Sequence, residues 1–566
     1  MILADIEKIY SNDYVDLIIG YYGDLSVLEQ YQDSGVQIIN FFLAVVHLPV
    51  GTGIETYLTS LGYSALPSVL GLTSEASLEA SGVVQLRNVP AFNLRGKGVL
   101  MGIIDTGIDY TNPIFQNADK TTRIATIWDQ TIISENTPEG FTYGTEYTRE
   151  QINEALSSEN PFLVVPSRDE IGHGTMIAGI AAGNDVLESG FSGVAPDTEF
   201  VIVKLKPAKQ NIKQFFRISE DAVAYQENDL LFAYQYLFDY AAKVNKPLVI
   251  CSTIDTSQYA HDGRGTTSGW LSLQASITGT AILVSAGNEG NARRHFQGII
   301  NDERSFSTVE LNVGANETGF SMELWGTAPN LFTIDITSPT GEYVSNISIQ
   351  IQVMQEVRFI FEPTNILIFS QISESQSGDQ LIFIRFTQPT QGIWRFNVYS
   401  RGVFPINFHI WLPMNGFIST ETFFLQPDPN TSLLTIACAQ TPITVTAYNT
   451  VDNSLYIDAG RGYTRINVIK PDIAAPGVNV LSPSLNQGFE MVTGTGAATA
   501  HTAGVAAMLF EWGIVNGNYP RMNTQDMKIF LIRGARRMQG IVYPNPDWGF
   551  GRLDIYNTFN KLRGEI

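Results

Sequence analysis

The chain has 566 residues, of which 44% are hydrophobic and 11% aromatic, with a formal net charge of −22. Because single cores rarely grow beyond about 250–300 residues, this length predicts more than one domain. The charge excludes a nucleic-acid-binding protein, since phosphate binding needs clustered Lys and Arg, and it disfavours electrostatic docking on an anionic membrane. No apolar run is long enough for a membrane span, and the N-terminus lacks the pattern of a Sec signal.

The N-terminal part of the chain, residues 1–80, predicts a small α+β unit. The segments DYVDLIIGYYGD and VQIINFFLAVVHLPV have the β-branched and aromatic content of strands. Short helical patterns, LSVLEQYQDSG and GIETYLTSLG, lie between and after them. The small polar residues of SEASLEASGVV then indicate a connector.

Residues 90–304 alternate between buried strands and helices. The runs VLMGIIDTG, EFVIVKLK, PLVICST and TAILVSAGN are short and nearly continuous in apolar residues, as in strands covered on both faces. Helical stretches separate them, including MIAGIAAG, a long segment over 217–243, and GWLSLQAS. This alternation predicts a parallel α/β sheet, whose ligands and catalytic groups collect at the carboxyl ends of the strands.

Residues 305–437 lack the spacing of apolar residues that is typical of helices. Alternating segments such as STVELNVG, FTIDITSP and GIWRFNVYS, separated by turn residues, predict a β-sandwich or jelly roll. Residues 438–566 return to α/β character with PITVTAYN, a small-residue helix near 496 and MKIFLIRGARR. A β domain inserted into an α/β domain is the simplest interpretation.

The two cysteines, Cys251 and Cys438, lie in the apolar runs LVICST and LTIACA. Two buried thiols in a chain of this size do not make a disulfide scaffold. A single bridge between them stays open at this stage.

Three polar groups of residues follow predicted strands or open helices. Asp105 ends GIIDTG, His173 lies in DEIGHGTMIAGI, and Asn288 follows a buried strand in SAGNEGN. An acid that orients a histidine, a histidine base and an amide donor to an oxyanion are the supporting parts of acyl-transfer chemistry. Each group alone fits an ordinary turn, but together and in this order they indicate a catalytic site.

The D-T-G at Asp105 also raises the possibility of an aspartic protease. That chemistry needs two carboxylates that share one site. The chain has no second D-[TS]-G in a β-rich duplicate half, and Asp105 lies in an α/β setting. The aspartic protease interpretation is therefore rejected.

The motifs D-T-G at 105–107, H-G-T at 173–175, A-G-N at 286–288 and G-T-x at 494–496 resemble those of the subtilisin-like serine protease superfamily, in the family's order. PDIAAPGVNVLSP resembles the segment before its serine loop. The resemblance implies a subtilisin-like, three-layer parallel-sheet domain in which Asp105 orients His173, His173 is the base and Asn288 lines the oxyanion hole. Gly496 falls where the family has its nucleophilic serine.

A narrower resemblance rests on the N-terminal prodomain without a signal peptide, the jelly roll inserted between the Asn and Ser motifs, and Ala500 where relatives often have proline. These features resemble the Csp subtilisins of clostridial spores, which act in germination. Active members of that group cut the precursor of a cortex hydrolase, and others, such as the CspC type, are pseudoproteases. The resemblance implies a spore location near cortex and coat, Csp and cortex-hydrolase partners, and a small-molecule germinant.

Glycine at 496 has no side chain with which to attack a peptide bond, so the resemblance implies an enzyme fold without peptidase activity. Ser482 and Ser484 precede the loop, and Thr493 and Thr495 flank Gly496; we expect none of them to replace the nucleophile. The rival interpretation is an active germination peptidase whose serine has been replaced by glycine. A third is an assembly scaffold without a ligand.

Two further expectations concern the substrate cleft. The resemblance places Ser252 at the cleft, but the residues that follow it are Thr253, Ile254 and Asp255 instead of a glycine-rich stretch, so the wall is altered. Without a nucleophile the prodomain is not released, and we expect residues 72–80 to lie in the cleft like an uncleaved substrate. No cofactor is expected; calcium is possible, although the sequence has no dense acidic calcium loop.

Overall fold

The structure, a computed structural model, describes residues 2–51, 53–73, 83, 93–347 and 352–562. Its helices are α1 Ile2–Tyr10, α2 Ser26–Glu29, α3 Glu55–Leu61, α4 Arg149–Ser157, α5 Pro161–Val164, α6 His173–Ala182, α7 Gln210–Phe216, α8 Glu227–Val244, α9 Thr266–Gln274, α10 Thr495–Phe510, α11 Thr524–Gly534 and α12 Ile555–Leu562. A π-helical turn, Glu511–Val515, continues α10.

The strands fall into the same regions of the chain that the sequence pattern predicts. The N-terminal strands are β1 Tyr14–Gly20, β2 Val36–Ile38, β3 Leu43–Pro49 and β4 Val69–Leu72. The next are β5 Leu100–Asp105, β6 Ile124–Asp129, β7 Thr145–Thr148, β8 Glu199–Lys204, β9 Tyr225–Gln226, β10 Leu248–Ser252, β11 Ile254–Asp255 and β12 Thr280–Ser285.

The later strands include a long β-only run followed by a return to α/β structure. The run contains β13 His295–Ile300, β14 Ser307–Val313, β15 Gly319–Gly326, β16 Leu331–Thr337, β17 Tyr343–Ile347, β18 Gln352–Arg358, β19 Asn365–Gln371, β20 Gln380–Thr387, β21 Gly392–Arg401, β22 Ile406–Trp411 and β23 Phe423–Phe424. The last strands are β24 Ile443–Tyr448, β25 Ile473–Pro476, β26 Val480–Pro483 and β27 Phe489–Val492.

The central sheet has eight strands in the order β25-β24-β12-β10-β5-β8-β6-β7. All neighbours in it are parallel except the edge pair β6 and β7. Helices cover both faces: α6 and α10 pack in one buried apolar cluster, and α8 and α9 pack in the other. This three-layer arrangement confirms the predicted α/β class with a parallel sheet.

The close contact between α6 and α10 depends on small residues. Every side chain of α10 is buried. A Cβ at Gly504 would lie 2.4 Å from Val194 Cβ and 2.5 Å from Ala181 O. The small-residue run of α10 therefore lets this helix approach its neighbours closely enough to fix where its N-terminal turn lies.

The N-terminal unit forms a three-stranded antiparallel sheet, β1-β3-β2, with short helices. Its contact with the central domain is partly apolar, and one part of it, which we name the seam, is polar and buried. Lys209 Nζ donates to Lys8 O (2.9 Å), Tyr14 O (3.2 Å) and Asp16 Oδ1 (2.6 Å). Asp16 in turn lies 2.6 Å from His47 Nδ1. Charged contacts thus fasten this unit to the domain that follows it.

The β-only run folds into two facing sheets with the orders β13-β22-β15-β20-β19-β18 and β17-β16-β21-β14-β23. The chain crosses between the two sheets several times, and the hairpins β16-β17 and β18-β19-β20 each stay within one sheet. Inward side chains of both sheets form one apolar cluster. This topology is compatible with the predicted jelly roll. The first strand begins at His295, so the unit starts before the boundary at 305 that the sequence indicated.

Local differences from the sequence prediction have simple causes. The long helix expected over 217–243 begins at Glu227, and the residues before it contain the separate α7 and the short strand β9. VQIINFFLAVVHLPV contains two strands, β2 and β3, that turn at Asn40, whose Oδ1 accepts from the N–H groups of Phe42 and Leu43. The predicted connector at 74–84 lies, apart from residue 83, outside the described residues.

Candidate functional site

The candidate site lies where three adjacent strands of the central sheet end. β5, β10 and β12 are neighbours and run in the same direction. Asp105 is the last residue of β5, Ser252 is the last residue of β10, and Asn288 follows β12. Because carboxyl ends of parallel strands share one edge, residues far apart in sequence meet there.

The structure brings Asp105 and His173 together. His173 is the first residue of α6, and its Nδ1 lies 2.7 Å from Asp105 Oδ1 and 2.9 Å from Oδ2. The carboxylate also accepts from the Thr106 N–H (2.7 Å) and from Thr253 Oγ1 (2.9 Å). Both residues are buried. His173 Nε2 is also buried, and it has no hydrogen-bond partner among the described residues.

Asp169 organises the loop that leads to His173, and sequence reasoning missed it. Its Oδ1 accepts from the Gly172 N–H (2.7 Å) and from Thr106 Oγ1 (2.8 Å). Its Oδ2 accepts from the N–H (2.9 Å) and the hydroxyl (2.8 Å) of Thr175. One buried carboxylate therefore ties the D-T-G turn to the H-G-T turn.

The two turns also touch directly. The Gly174 N–H donates to Thr106 Oγ1 at 3.0 Å. A Cβ at Gly174 would lie 2.1 Å from Gly107 O and 3.0 Å from Asp105 Cβ. Only glycine at 174 permits this approach, which sets the distance between the aspartate and the histidine.

Gly496 is the second residue of α10 and is buried. The neighbouring Thr495 holds Asn288, since both its N–H and its hydroxyl donate to Asn288 Oδ1 at 3.1 Å. These two bonds fix the position of the Asn288 amide oxygen. The first turn of α10 also presents backbone N–H groups that have no partner within the helix, so this region can stabilise a negatively charged oxygen.

The strand β4, at the end of the N-terminal unit, lies beside these residues. It pairs antiparallel with β11 on one side, through Leu72 and Ile254, and with β9 on the other, through Leu70 and Tyr225. The next residue, Thr73, donates from its N–H to Thr253 O at 3.0 Å. Its hydroxyl lies 2.5 Å from Ser285 Oγ. The groove between β9 and β11 is thus filled by the protein's own chain.

The predicted cleft residue Ser252 is not in this groove. Ser252 is buried, and its hydroxyl lies 2.5 Å from the hydroxyl of Tyr234 on α8, below the sheet. Successive strand residues point to opposite faces, so it is the next residue, Thr253, that faces Asp105. The placement of Ser252 in the cleft is therefore corrected to Thr253.

The altered cleft wall is tied to the chain that returns from the two-sheet unit. Asp255 in β11 accepts from the N–H groups of Ile436 (2.8 Å) and Ala437 (3.0 Å). Burial raises the pKa of Asp255 to about 7, against the lowering effect of these N–H groups. The acidic residue that replaces the expected glycine-rich stretch is thus an internal anchor of the wall.

The two-sheet unit also supports the Asn288 loop. The Asn415 side-chain amide donates to Asn288 O (3.2 Å), and its N–H donates to Glu289 Oε1 (3.0 Å). Burial raises the pKa of the Glu289 carboxyl, an effect that Arg294 opposes. No local motif in the sequence links Asn415 to the site, because the contact depends on how the inserted unit folds back.

Other expected features were sought in the described part of the chain. Cys251 and Cys438 are both buried and free, so no bridge joins them. No group of three or more His, Cys, Asp or Glu residues in the described ranges is arranged to hold a metal ion, and calcium stays a prediction. None of the described helices combines the length and the apolar content needed to cross a membrane.

Comparison with known proteins gives consistent results. The family model of the subtilase family matches residues 96–338 and 426–551, and its gap falls within the two-sheet unit. Among solved structures, the Clostridium perfringens CspB protease superposes with a TM-score of 0.75 and 32% identity, covering 85% of this chain and 98% of that one.

Curated relatives are more distant. The Arabidopsis thaliana subtilisin-like protease SBT1.9 is 24% identical over 73% of this chain and 57% of its own length. The subtilisin-like protease SBT3.6 of the same plant is 24% identical over 63% of this chain and 47% of its own length. The chain thus spans about half the length of these relatives. From the matched family model and the similarity to the CspB protease, we conclude that this chain belongs to the subtilase family and is related to the Csp proteases.

Proposed function

We propose that this protein is a catalytically inactive subtilase, a pseudoprotease. The observation that carries the proposal is Gly496 at the start of α10, in a chain that preserves the Asp105–His173 pair. His173 Nε2, the nitrogen that takes the nucleophile's proton in the family's mechanism, has no partner among the described residues. In subtilisin, loss of the serine lowers kcat about 2 × 10⁶-fold, and the activity that remains is too small to be useful for peptide hydrolysis.

The N-terminal unit acts as a prodomain that stays attached. Support comes from β4, which pairs on both sides as an extended peptide added to open strand edges. Thr73 continues this strand toward the catalytic edge, as an uncut substrate would. Of the predicted cleft segment 72–80, residues 72 and 73 lie in the groove; residues 74–80 are outside the described part of the chain.

The biological role we propose is regulation of spore germination. It is supported by the similarity to the clostridial CspB protease along most of both chains. In this role the protein binds other Csp proteins or the precursor of a cortex hydrolase, and it responds to a small-molecule germinant in the spore. The occupied groove favours such binding over turnover, because substrates would have to displace β4.

The decisive experiment is Gly496→Ser in the full chain, with Gly496→Ser/His173→Ala as the matched control. We expect the new hydroxyl to cut only the segment already in the groove, once and in cis, at the junction after Thr73. Added peptides are expected to remain uncut. Mass spectrometry of the chain and a fluorogenic peptide assay give the two readouts. Peptide turnover by the unmodified Gly496 protein that His173→Ala abolishes would contradict the proposal.

A second candidate function is an active subtilisin-like endopeptidase that processes the cortex-hydrolase precursor and whose serine has been replaced by Gly496. It is favoured by one observation, the retention of the complete Asp105 and His173 geometry. This candidate predicts that Gly496→Ser turns over peptides in trans as well as cutting itself. The same pair of assays therefore separates the two functions.

A further inference from the structure

The strand β4 presents two opposite faces to two different parts of the molecule. Because strand side chains alternate between faces, Leu70 and Leu72 point the same way, and both pack against the apolar cluster that contains α8 and α9. Val69 lies on the other face and packs in a separate cluster with residues of the two-sheet unit. Gly71 shares that second face. The groove therefore has the central domain beneath β4 and the inserted unit above it.

Two side chains of the inserted unit, Met414 and Phe417, cover Gly71; we name them the roof. They lie in the loop between β22 and β23. A Cβ at Gly71 would lie 3.1 Å from both Cε and Sδ of Met414 and 3.3 Å from Phe417 Cζ. Carbon atoms in contact are ordinarily about 3.5–4.0 Å apart, so a side chain at this position crowds the roof. The φ of Gly71 is not positive, so its backbone conformation suits other residues, and the roof is what restricts the position.

The loop that carries the roof is fastened around this contact. Arg294 donates to Pro413 O and to Asn415 Oδ1, both at 3.1 Å. The Phe417 N–H donates to Met414 O at 3.1 Å and closes a turn between the two roof residues. Both roof side chains are also buried. A roof held in this way resists a larger side chain placed beneath it.

We propose that Met414 and Phe417 select the peptide that occupies the groove, by admitting only glycine at the position of Gly71. The occupant is an extended segment with an apolar residue on each side of that glycine, as β4 has in Leu70 and Leu72. A partner segment that replaces β4 belongs to the same class. The inference rests on the proposed function in one respect, that the groove binds extended peptides.

This selection comes from the inserted unit. Both roof residues fall in the gap between residues 338 and 426 of the family match. The strands β9 and β11 that flank β4 lie within the matched part of the chain. The part that the family shares thus supplies the edges of the groove, and the insertion adds a restriction on its contents.

The first test measures self-cutting in the Gly496→Ser background, where the junction after Thr73 is expected to be cut. We expect Gly71→Ala to slow the cut a few-fold and Gly71→Val to slow it at least about tenfold, because overpacking this contact displaces the strand. Adding Met414→Ala to Gly71→Val is expected to restore the rate to within about threefold, since residues in contact are coupled. Mass spectrometry of timed samples gives the rates.

The rescue distinguishes a steric roof from a general need for glycine in β4. The matched control is Met322→Ala combined with Gly71→Val. Like Met414, Met322 is a buried methionine of the two-sheet unit, but it packs in the core between the two sheets and not in the cluster above the groove. We expect this control to leave the cut slow.

The second test needs no cut and uses the full chain with Gly496 retained. Hydrogen exchange under native conditions, followed by mass spectrometry, reports how often residues 69–73 leave the groove. We expect Gly71→Val to speed the exchange of this segment at least about tenfold and Met414→Ala to reverse that change.

Unchanged self-cutting and unchanged exchange in Gly71→Val would overturn the inference, because the roof would then yield to a side chain. Equal rescue by Met322→Ala would also overturn it, since Met414 would then act only through the stability of its unit. If Gly71→Val does not fold, Gly71→Ala and its rescue by Met414→Ala decide. A Gly496→Ser chain that stays uncut would count against β4 as an uncut substrate but not against the roof, which hydrogen exchange decides by itself.

Discussion

Among the described residues, two buried aspartate–histidine pairs differ in what surrounds the second ring nitrogen. At the seam, His47 Nδ1 lies 2.6 Å from Asp16, and its Nε2 lies 2.9 Å from Gln37 Oε1. At the candidate site, His173 Nδ1 lies 2.7 Å from Asp105, but its Nε2 has no partner within the described residues. Both ring nitrogens of His47 thus have partners, whereas only Nδ1 of His173 has one among the described residues.

This comparison shows that an aspartate–histidine pair alone does not mark a catalytic site. A structural pair uses both ring nitrogens and adds a counter-charge, as Lys209 does for Asp16. A site built for general-base chemistry keeps Nε2 free to face a reacting group. The pair Asp105–His173 retains that second form although Gly496 offers it no hydroxyl.

The largest expected effect in this comparison is on folding stability. His47→Ala removes one partner of a buried charged network, and the free energy of unfolding is expected to fall by about 3 kcal/mol. His173→Ala leaves Asp105 with two other donors, Thr106 and Thr253, and a loss of about 1 kcal/mol is expected. Urea unfolding of both variants checks the difference. Equal losses would mean that the two pairs have the same structural role.

The next effect is on stability in acid. Burial acts to raise the pKa of the Asp16 carboxyl, but the positive charges of Lys209 and His47 outweigh it and hold that pKa well below its usual range. The unfolded chain therefore binds a proton at Asp16 more readily than the folded chain does. The stabilisation that the Asp16 carboxylate gives the fold is complete above about pH 4 and is lost as the pH falls further.

Asp16→Asn is therefore expected to destabilise the protein at neutral pH and to reduce the loss of stability between about pH 4 and pH 2. Urea unfolding across this pH range measures the effect. The exposed Asp13 provides the control, since Asp13→Asn removes a carboxylate of the same unit outside the charged network. An unchanged acid profile in Asp16→Asn would show that the network does not couple to folding.

The smallest effect concerns two adjacent residues at the end of β10. In the Gly496→Ser background, Thr253→Val removes the hydroxyl that donates to Asp105, and the rate of self-cutting is expected to fall about tenfold. Ser252→Ala removes the contact with Tyr234 and is expected to cost about 1 kcal/mol of stability without a change in rate. A slower cut in Ser252→Ala would show that Ser252 belongs to the cleft, as the sequence resemblance predicted.

Much of the fold and part of the site could be predicted from the sequence. Continuous apolar runs indicated the central strands, and Asp105, His173 and Asn288 stood out because each follows a strand or opens a helix. The direction of Ser252 was missed because adjacent strand residues face opposite sides, and a single run of apolar residues does not say which side is the site.

Contacts made in three dimensions could not be predicted. Asp169 looked like any loop acid, and only the approach of the D-T-G and H-G-T turns gives it two sets of donors. Asp16 and His47 are separated from Lys209 by most of the N-terminal unit and part of the next domain, so their network depends on how these units dock. Asn415 reaches the Asn288 loop only because the inserted sheets fold back on it.

The measurement that tests the central claim most directly is the intact mass of the chain, made in a host without other subtilases, beside that of His173→Ala. Because Gly496 supplies no nucleophile, the account predicts full-length masses for both proteins, with the N-terminal unit still attached. A protein that begins near residue 75 in the original chain, but stays full length in His173→Ala, would contradict it.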